Sequence, residues 1–209
     1  MLASHHPVFA RFYTRVAEPL FGRFGGDDLR RRALEGLSGT VVEVGPGDGA
    51  NFAFYPPAVT AVVAVEPEPW LRQEAQRRAD ARTTVVAGTA EALPLGAGEA
   101  DAVVSTLVLC SVPDQAAALA GIRRALRPGG ELRFLEHVQA HRPGTLRRLQ
   151  QGLDATVWPR LFGGCHCGRD TVAALEEAGF EVVEVERMVF PPGSRSPVSP
   201  MVLGRAVAR

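Results

Sequence analysis

An apolar run that breaks into three glycines on alternate positions constrains this chain more than any other feature. In the segment Thr40-Val-Val-Glu-Val-Gly-Pro-Gly-Asp-Gly-Ala-Asn51, residues 41–44 read as a buried strand and Gly45, Gly47 and Gly49 follow it. Glycine reaches left-handed backbone conformations and puts no Cβ between the main chain and a ligand. Glu43 stands two residues before the first glycine. A carboxylate there repels a pyrophosphate and attracts an ammonium group. The loop therefore reads as a poor phosphate cradle and a good cradle for a cofactor with an amino-acid end. Its glycines run G-x-G-x-G, whereas a dinucleotide fingerprint runs G-x-G-x-x-G.

Strands and helices alternate beyond this loop. Strands are expected over 61–65, 83–87, 102–106 and 131–138, and helices over 70–79 and 115–126, the latter stopped by Pro128-Gly129-Gly130. A helix-rich insertion is expected over 145–162, then a helix over 170–178 ended by Gly179. Segments 181–187 and 201–208 alternate as strands that can pair as an antiparallel ribbon. The pattern predicts an α/β Rossmann-like fold: a mostly parallel seven-stranded sheet, helices on both faces and a C-terminal antiparallel strand. Ligands then bind at the carboxyl ends of the strands.

Residues 1–38 read as an N-terminal helical segment ahead of one domain over 39–209, with the insertion at about 145–165. Apolar positions from Val8 to Phe24, Tyr13 among them, fall on one stripe, and Pro19 is expected to kink or end that helix. Packing on the domain is the first reading of this stripe; a lid over the site and a membrane-surface contact are the alternatives. Asp27 or Asp28 is expected to cap a second helix reaching about Leu37.

Several residues then point to one ligand. Glu66 ends the second strand and is followed by Pro67; an acidic residue there can hold both hydroxyls of a ribose. Gly88-Thr89-Ala90-Glu91 follows the third strand and would lie beside an adenine if Glu66 holds the ribose. Asn51 closes the glycine loop. Thr106, Leu107 and Leu109 end the fourth strand, where they can touch cofactor and acceptor. Ribose, adenine and ammonium together describe S-adenosylmethionine.

Composition narrows the remainder. Lys+Arg 23 balance Asp+Glu 23, which gives no electrostatic case for a nucleic-acid partner. The cysteines Cys110, Cys165 and Cys167 suggest a reducing compartment, and so a cytoplasmic location, over a disulfide framework. Cys110 sits in an apolar run and reads as an inert core thiol. The Cys165-His166-Cys167 spacing is too tight for the usual structural zinc pairs, so no metal is expected there. The oligomeric state is left open.

Taken in order, Glu-Val-Gly-Pro-Gly-Asp-Gly at 43–49, Glu66, Ala-Leu-Pro-Leu at 92–95, Asp101 and Leu-Arg-Pro-Gly-Gly at 126–130 resemble the class I S-adenosylmethionine-dependent methyltransferases. A narrower resemblance runs to nearly residue 190. Gly49-Ala-Asn-Phe-Ala-Phe-Tyr-Pro56, Ser105-Thr-Leu-Val-Leu-Cys-Ser-Val112, Phe134-Leu-Glu-His-Val138, Gln150-Gln-Gly-Leu-Asp154, Trp158, Leu161-Phe-Gly-Gly-Cys165 and Arg169 look like the methyltransferase-like alkyl-thiol methyltransferases. That family's loop usually reads Gly-Cys-Asn-Leu-Thr-Arg, whereas this chain has Gly164-Cys-His-Cys-Gly-Arg169.

The resemblance implies a small-molecule thiol acceptor, with Tyr13, Leu109, Trp158, Cys165 and Arg169 as candidate acceptor contacts. His137 at the end of the fifth strand is a candidate to take the acceptor's proton. Asp154 and Trp158 share a helical face at i and i+4, where Asp154 can polarise a nucleophile or simply pack on the domain. The competing readings are an O-, N- or C-methyltransferase of small metabolites or lipids, a non-catalytic cofactor-binding protein, and a nicotinamide-dependent oxidoreductase.

Overall fold

In the computed structural model, which describes residues 7–208, the alternation resolves into a single seven-stranded sheet. The strands are β1 Gly39–Val44, β2 Val59–Val65, β3 Thr83–Val86, β4 Ala100–Thr106, β5 Leu126–His137, β6 Phe180–Val189 and β7 Pro200–Ala208. Their order is β3-β2-β1-β4-β5-β7-β6. The first five run parallel, and β7 is antiparallel to both β5 and β6. Strands covered on both faces need near-continuous apolar runs, which is how β1, β2 and β4 read. The order reverses between β1 and β4, and a crevice opens at such a switch point.

Helices lie on both faces. The N-terminal segment comprises α1 Pro7–Phe12, a wide turn Tyr13–Ala17, α2 Glu18–Arg23 and α3 Gly26–Leu34. Then come α4 Pro69–Arg78, α5 Gln115–Ala125, α6 Thr145–Asp154, α7 Trp158–Leu161 and α8 Thr171–Glu177. Three starts are capped through side chains: Glu68 accepts from the Leu71 N–H, Asp114 from Ala117 and Asp170 from Ala173. Such caps contribute about 1 kcal/mol each. On one sheet face the unexposed Leu119 and Ile122 of α5 meet Val42, Val103 and Phe134. On the other, Leu34 of α3 meets Val41, Phe52 and Val62. Truncating a residue such as Leu119 to alanine would cost about 2–5 kcal/mol.

Three local expectations are corrected. Of the two outcomes expected at Pro19, the ending does not occur: the first helix runs on to Arg23 through a π-type turn over Tyr13–Ala17. There the Glu18 N–H reaches the Tyr13 carbonyl, an i to i−5 bond. Proline has no N–H and its ring crowds the carbonyl four residues back, so a widened turn just before Pro19 relieves both defects.

The cap of α3 is Gly25, at φ 98°, and not Asp27 or Asp28. The chain doubles back from α2 so tightly that a Cβ on Gly26 would stand 2.1 Å from the Phe21 ring. A left-handed glycine makes that turn, and the two aspartates fall in the first helical turn instead. Finally, Pro128-Gly129-Gly130 does not follow α5 as a stop. The helix ends at Ala125 and those residues are absorbed into β5, at an irregularity in its pairing with β4.

Candidate active site

The glycine loop closes on β2, where the Gly45 N–H donates to the Val65 carbonyl at 2.9 Å. Gly45, Gly47 and Gly49 have φ of 58°, 60° and 85°, all left-handed. At Gly45 a side chain is also excluded by space, since a Cβ would lie 2.6 Å from Val108. Glu66, at the end of β2, is buried at 4% exposure yet accepts from two main-chain amides, Gly47 at 3.0 Å and Glu68 at 2.9 Å. A carboxylate offers about four acceptor positions, so two remain for a pair of hydroxyls. Burial pushes the Glu66 carboxyl up to about 7.

Glu43 has a more immediate job than the expected direct pull on an ammonium group. Its two oxygens accept from Asn51 Nδ2 and from the Tyr55 hydroxyl, each at 2.8 Å. Asn51 also donates to Thr106 Oγ1 at 3.1 Å and accepts from Arg30 at 2.8 Å. Arg30 in turn pairs with Glu18 at 2.6 Å, which also accepts from the Tyr13 hydroxyl at 3.0 Å. Glu43 thus anchors a buried chain of partners running from β1 to the N-terminal helix, and burial pushes its carboxyl up to about 7. Arg30 went unremarked in the sequence because an arginine inside an amphipathic helix reads as surface; here it is 3% exposed.

Around the expected adenine contacts, Gly88 packs between Val65 and Pro94, with no room for a Cβ beside the former. Thr89 bridges to Ala92, Ala90 is buried, and Glu91 keeps Oε1 buried with no hydrogen-bond partner. Pro67 lends its carbonyl to Arg72. These groups lie together beyond the ends of β2 and β3.

The acceptor side forms where β4 and β5 end. Leu107 takes a left-handed φ of 60°, with its N–H on the Leu135 carbonyl at 2.7 Å. The turn after it is held by Glu136, a wholly buried carboxylate of β5. Glu136 accepts from the Ser105 hydroxyl at 2.6 Å and from the amides of Val108, Leu109 and Cys110 at 3.1–3.3 Å. Glu136 was not singled out in the sequence, although it sits inside Phe134-Leu-Glu-His-Val138. Gln150 was missed in the same way. Fully buried, it accepts from Ala140 and donates to the carbonyls of Val138, Cys167 and Pro197. Neither follows from periodicity; only a polar residue inside an apolar frame hinted at them.

Asp154 lies on this side but acts on the loop 164–169. Its oxygens accept from the Cys167 and Gly168 amides at 2.8 Å and from the Cys167 thiol at 3.3 Å. Burial pushes that thiol up to about 12. The loop is further docked by His166 N–H on the Cys110 carbonyl, 2.8 Å, and by Arg169 on the Leu109 carbonyl, 2.7 Å. Arg169 thus bonds Leu109 directly, and Cys165 stands in the same docked loop. Cys110, Cys165 and His137 also converge, their ligating atoms all within 4.8 Å of one another. Cys110 is buried, as a core thiol would be, but it is not surrounded by hydrocarbon alone.

Trp158 stacks on Phe162 at 4.1 Å, with its ring N–H buried and unpartnered. Tyr13 is not on this wall. It reaches toward Gly47, 3.4 Å from where a Cβ would stand, while Phe9 of the same helix fills the space a Cβ on Gly163 would need.

Comparison with known proteins agrees with this geometry. A methyltransferase-domain family model matches residues 42–134. The human thiol S-methyltransferase TMT1B is 38% identical over 184 residues, covering 84% of this chain and 74% of that one. Human thiol S-methyltransferase TMT1A is 37% identical over 174 residues, covering 80% and 70%. A solved S-adenosylmethionine-dependent methyltransferase from Thermotoga maritima superposes with a TM-score of 0.68 over 97% of this chain and 98% of its own, at 23% identity, and so attests the fold. The buried acidic pair, the glycine loop and these relatives identify the cofactor as S-adenosylmethionine, and the chain belongs to the class I methyltransferases that use it, within the thiol S-methyltransferase TMT1 family.

Proposed function

We propose that this enzyme transfers a methyl group to the sulfur of a small-molecule thiol. One observation supports the acceptor beyond kinship: among the described residues, the carboxylates Glu136 and Asp154 at the end of the sheet where the acceptor would sit are both committed to the fold. Glu136 and Asp154 both spend their oxygens on main-chain amides. A nitrogen proton acceptor stands there in His137, whose Nδ1 is buried without a hydrogen-bond partner. A thiol with pKa near about 8.5 is already partly ionised at neutral pH and needs only such modest help. An alcohol would need much more.

Bound S-adenosylmethionine supplies an electrophilic methyl on a sulfonium. Glu66 is placed to hold its ribose, the loop Gly88–Glu91 to border its adenine, and the Glu43–Asn51–Arg30 chain to fix the methionine end. Thr106 and Leu107 lie where β4 meets the cofactor, and Leu109 lines the acceptor side and excludes water. His137 takes the thiol proton. Asp154 and Arg169 are positioning residues that hold the wall carrying Cys165, and Trp158 borders it. Most of the rate enhancement then comes from alignment. The N-terminal helix, through Phe9 and Tyr13, is a lid over both halves, and the three free cysteines support a cytoplasmic setting.

A panel of matched thiol, phenol and amine acceptors with methyl-labelled cofactor tests this reading. Label on the thiol is expected; turnover of the phenol alone, abolished by His137→Ala, would refute the acceptor while leaving the methyltransferase intact.

A further inference from the structure

We propose that Cys110, His137 and Cys165 form a three-ligand site for a soft divalent cation, zinc being the one their chemistry fits, with the fourth position left to a sulfur ligand. In its last clause the inference rests on the thiol reading above. The three residues come from the β4 turn, the end of β5 and the loop after α7, yet their ligating atoms all lie within 4.8 Å of one another. Two cysteine sulfurs on a tetrahedral zinc stand about 3.8 Å apart, so closing the site needs a movement of about 1 Å. The Cys165-His166-Cys167 tripeptide is not the ligand set. His166 bonds the Gly164 carbonyl and Cys167 bonds Asp154.

Two further features point to a ligand. His137 Nδ1 is buried with no hydrogen-bond partner, an expensive state for a polar atom unless something else binds it. The cysteines are also held from outside. Glu136 fixes the Cys110 amide, His166 N–H the Cys110 carbonyl, and Asp154 the residues following Cys165. Gly164 sits so close to the Ser111 carbonyl, 2.8 Å from a would-be Cβ, that no side chain fits. Groups that orient the ligands without binding the metal are what a metal site requires.

Two cysteines and one histidine with an open position match the donor set of catalytic zinc, and two thiolates cancel the charge of the cation in a buried place. On loading, two zinc–sulfur bonds form and the two thiol protons pass to solvent. An acceptor thiol entering the fourth position displaces water and loses its proton to solvent in the same way. Its sulfur lone pair then forms the bond to the methyl carbon, and the electrons of the broken sulfonium bond stay on the cofactor sulfur. The thioether product is a weak zinc ligand and leaves. In the loaded site His137 is a ligand, and the cation takes over the acidification assigned to it in the metal-free enzyme.

The test is metal content by mass spectrometry on the full chain, purified without chelator and dialysed against micromolar zinc. About one equivalent is expected, falling several-fold in Cys110→Ser and in Cys165→Ser but not in Cys167→Ser. Cobalt substitution should give a near-ultraviolet thiolate-to-metal band in the wild type that both variants lose. Binding of S-adenosylhomocysteine by the variants, within about twofold of wild type, shows that they are folded. Negligible zinc in the wild type, a Cys110–Cys165 disulfide in its place, or metal retained by both variants would overturn the site. Thiol methylation persisting in zinc-free protein would then leave the proposed function standing. A zinc-loaded protein that methylates only phenols would sink that function and, with it, the sulfur ligand.

Discussion

The cofactor half and the acceptor half are built on different plans. The cofactor half is centred on one stretch, β1 through the start of α4, in which Gly47 meets Glu66 and Asn51 meets Glu43 over short separations, and Arg30, the loop 88–91 and Thr106 complete it. The acceptor half is assembled from the β4 turn, the end of β5, α6 and the loop 164–169. Its key bonds span far more chain, as between Arg169 and Leu109 or Gln150 and Pro197. The first has its centre in two neighbouring parallel strands and the turns that follow them. The second exists only when the whole sheet does. Its polar centre, Glu136, accordingly serves the fold as much as the chemistry.

That contrast can be broken most sharply at Glu136. Glu136→Ala strands a hydroxyl and three amides in the core, so a stability loss of about 3–5 kcal/mol is expected in urea denaturation. A loss under about 1 kcal/mol would mean that the turn holds itself.

Glu66→Ala frees two buried amides, so it should cost less stability than Glu136→Ala, about 1–3 kcal/mol, and weaken S-adenosylhomocysteine binding by about 1–3 kcal/mol in calorimetry. An unaltered dissociation constant would place the ribose elsewhere.

The pH dependence sharpens the same divide. Burial holds Glu43 and Glu66 at about 7, above the ordinary 4.5. The folded apoprotein therefore keeps protons that the unfolded chain has released. Its stability should fall as pH rises from about 4.5 to about 7 and then level off. Cofactor binding calls on the ionised forms, so affinity should move the opposite way between pH 6 and pH 8, rising about tenfold for each carboxylate and about a hundredfold for the pair. Melting curves with and without S-adenosylhomocysteine across that range would show parallel lines if the two carboxylates were not coupled to the site.

The smallest effect is expected at His137. In chelator-treated enzyme His137→Ala should cost a thiol acceptor about tenfold in kcat/KM, below the ~10²–10⁴ of a full general base. A loss of several thousandfold would show that proton removal limits even thiols.

What could be read from the sequence follows the same line. The glycine loop, Glu43, Glu66 and the alternation of parallel strands with helices rest on local pattern, so they were visible, with strand ends misplaced by two residues at most on β1 to β4. The antiparallel ribbon was visible because both segments alternate. Glu136, Gln150 and Arg30 were not: each is polar by type and buried by tertiary contact, which no window of neighbours reveals. The Asp27 or Asp28 cap failed because a steric demand at Gly26, set by Phe21, overrode cap preference. Asp154 was read as polarising a nucleophile or packing on the domain, and its bonds to the Cys167 and Gly168 amides hold the loop.

Phe9 and Tyr13 stand one turn apart on the same helical segment, one against Gly163 and the other over Gly47. A single bar thus crosses both ends of the crevice. If that bar is the proposed lid, lifting it would admit the acceptor and free the spent cofactor in one event, and the two products would share a residence time. Turnover would then follow the opening rate of the helix, and loosening the Glu18–Arg30 latch would hasten product exchange while letting water reach the sulfonium.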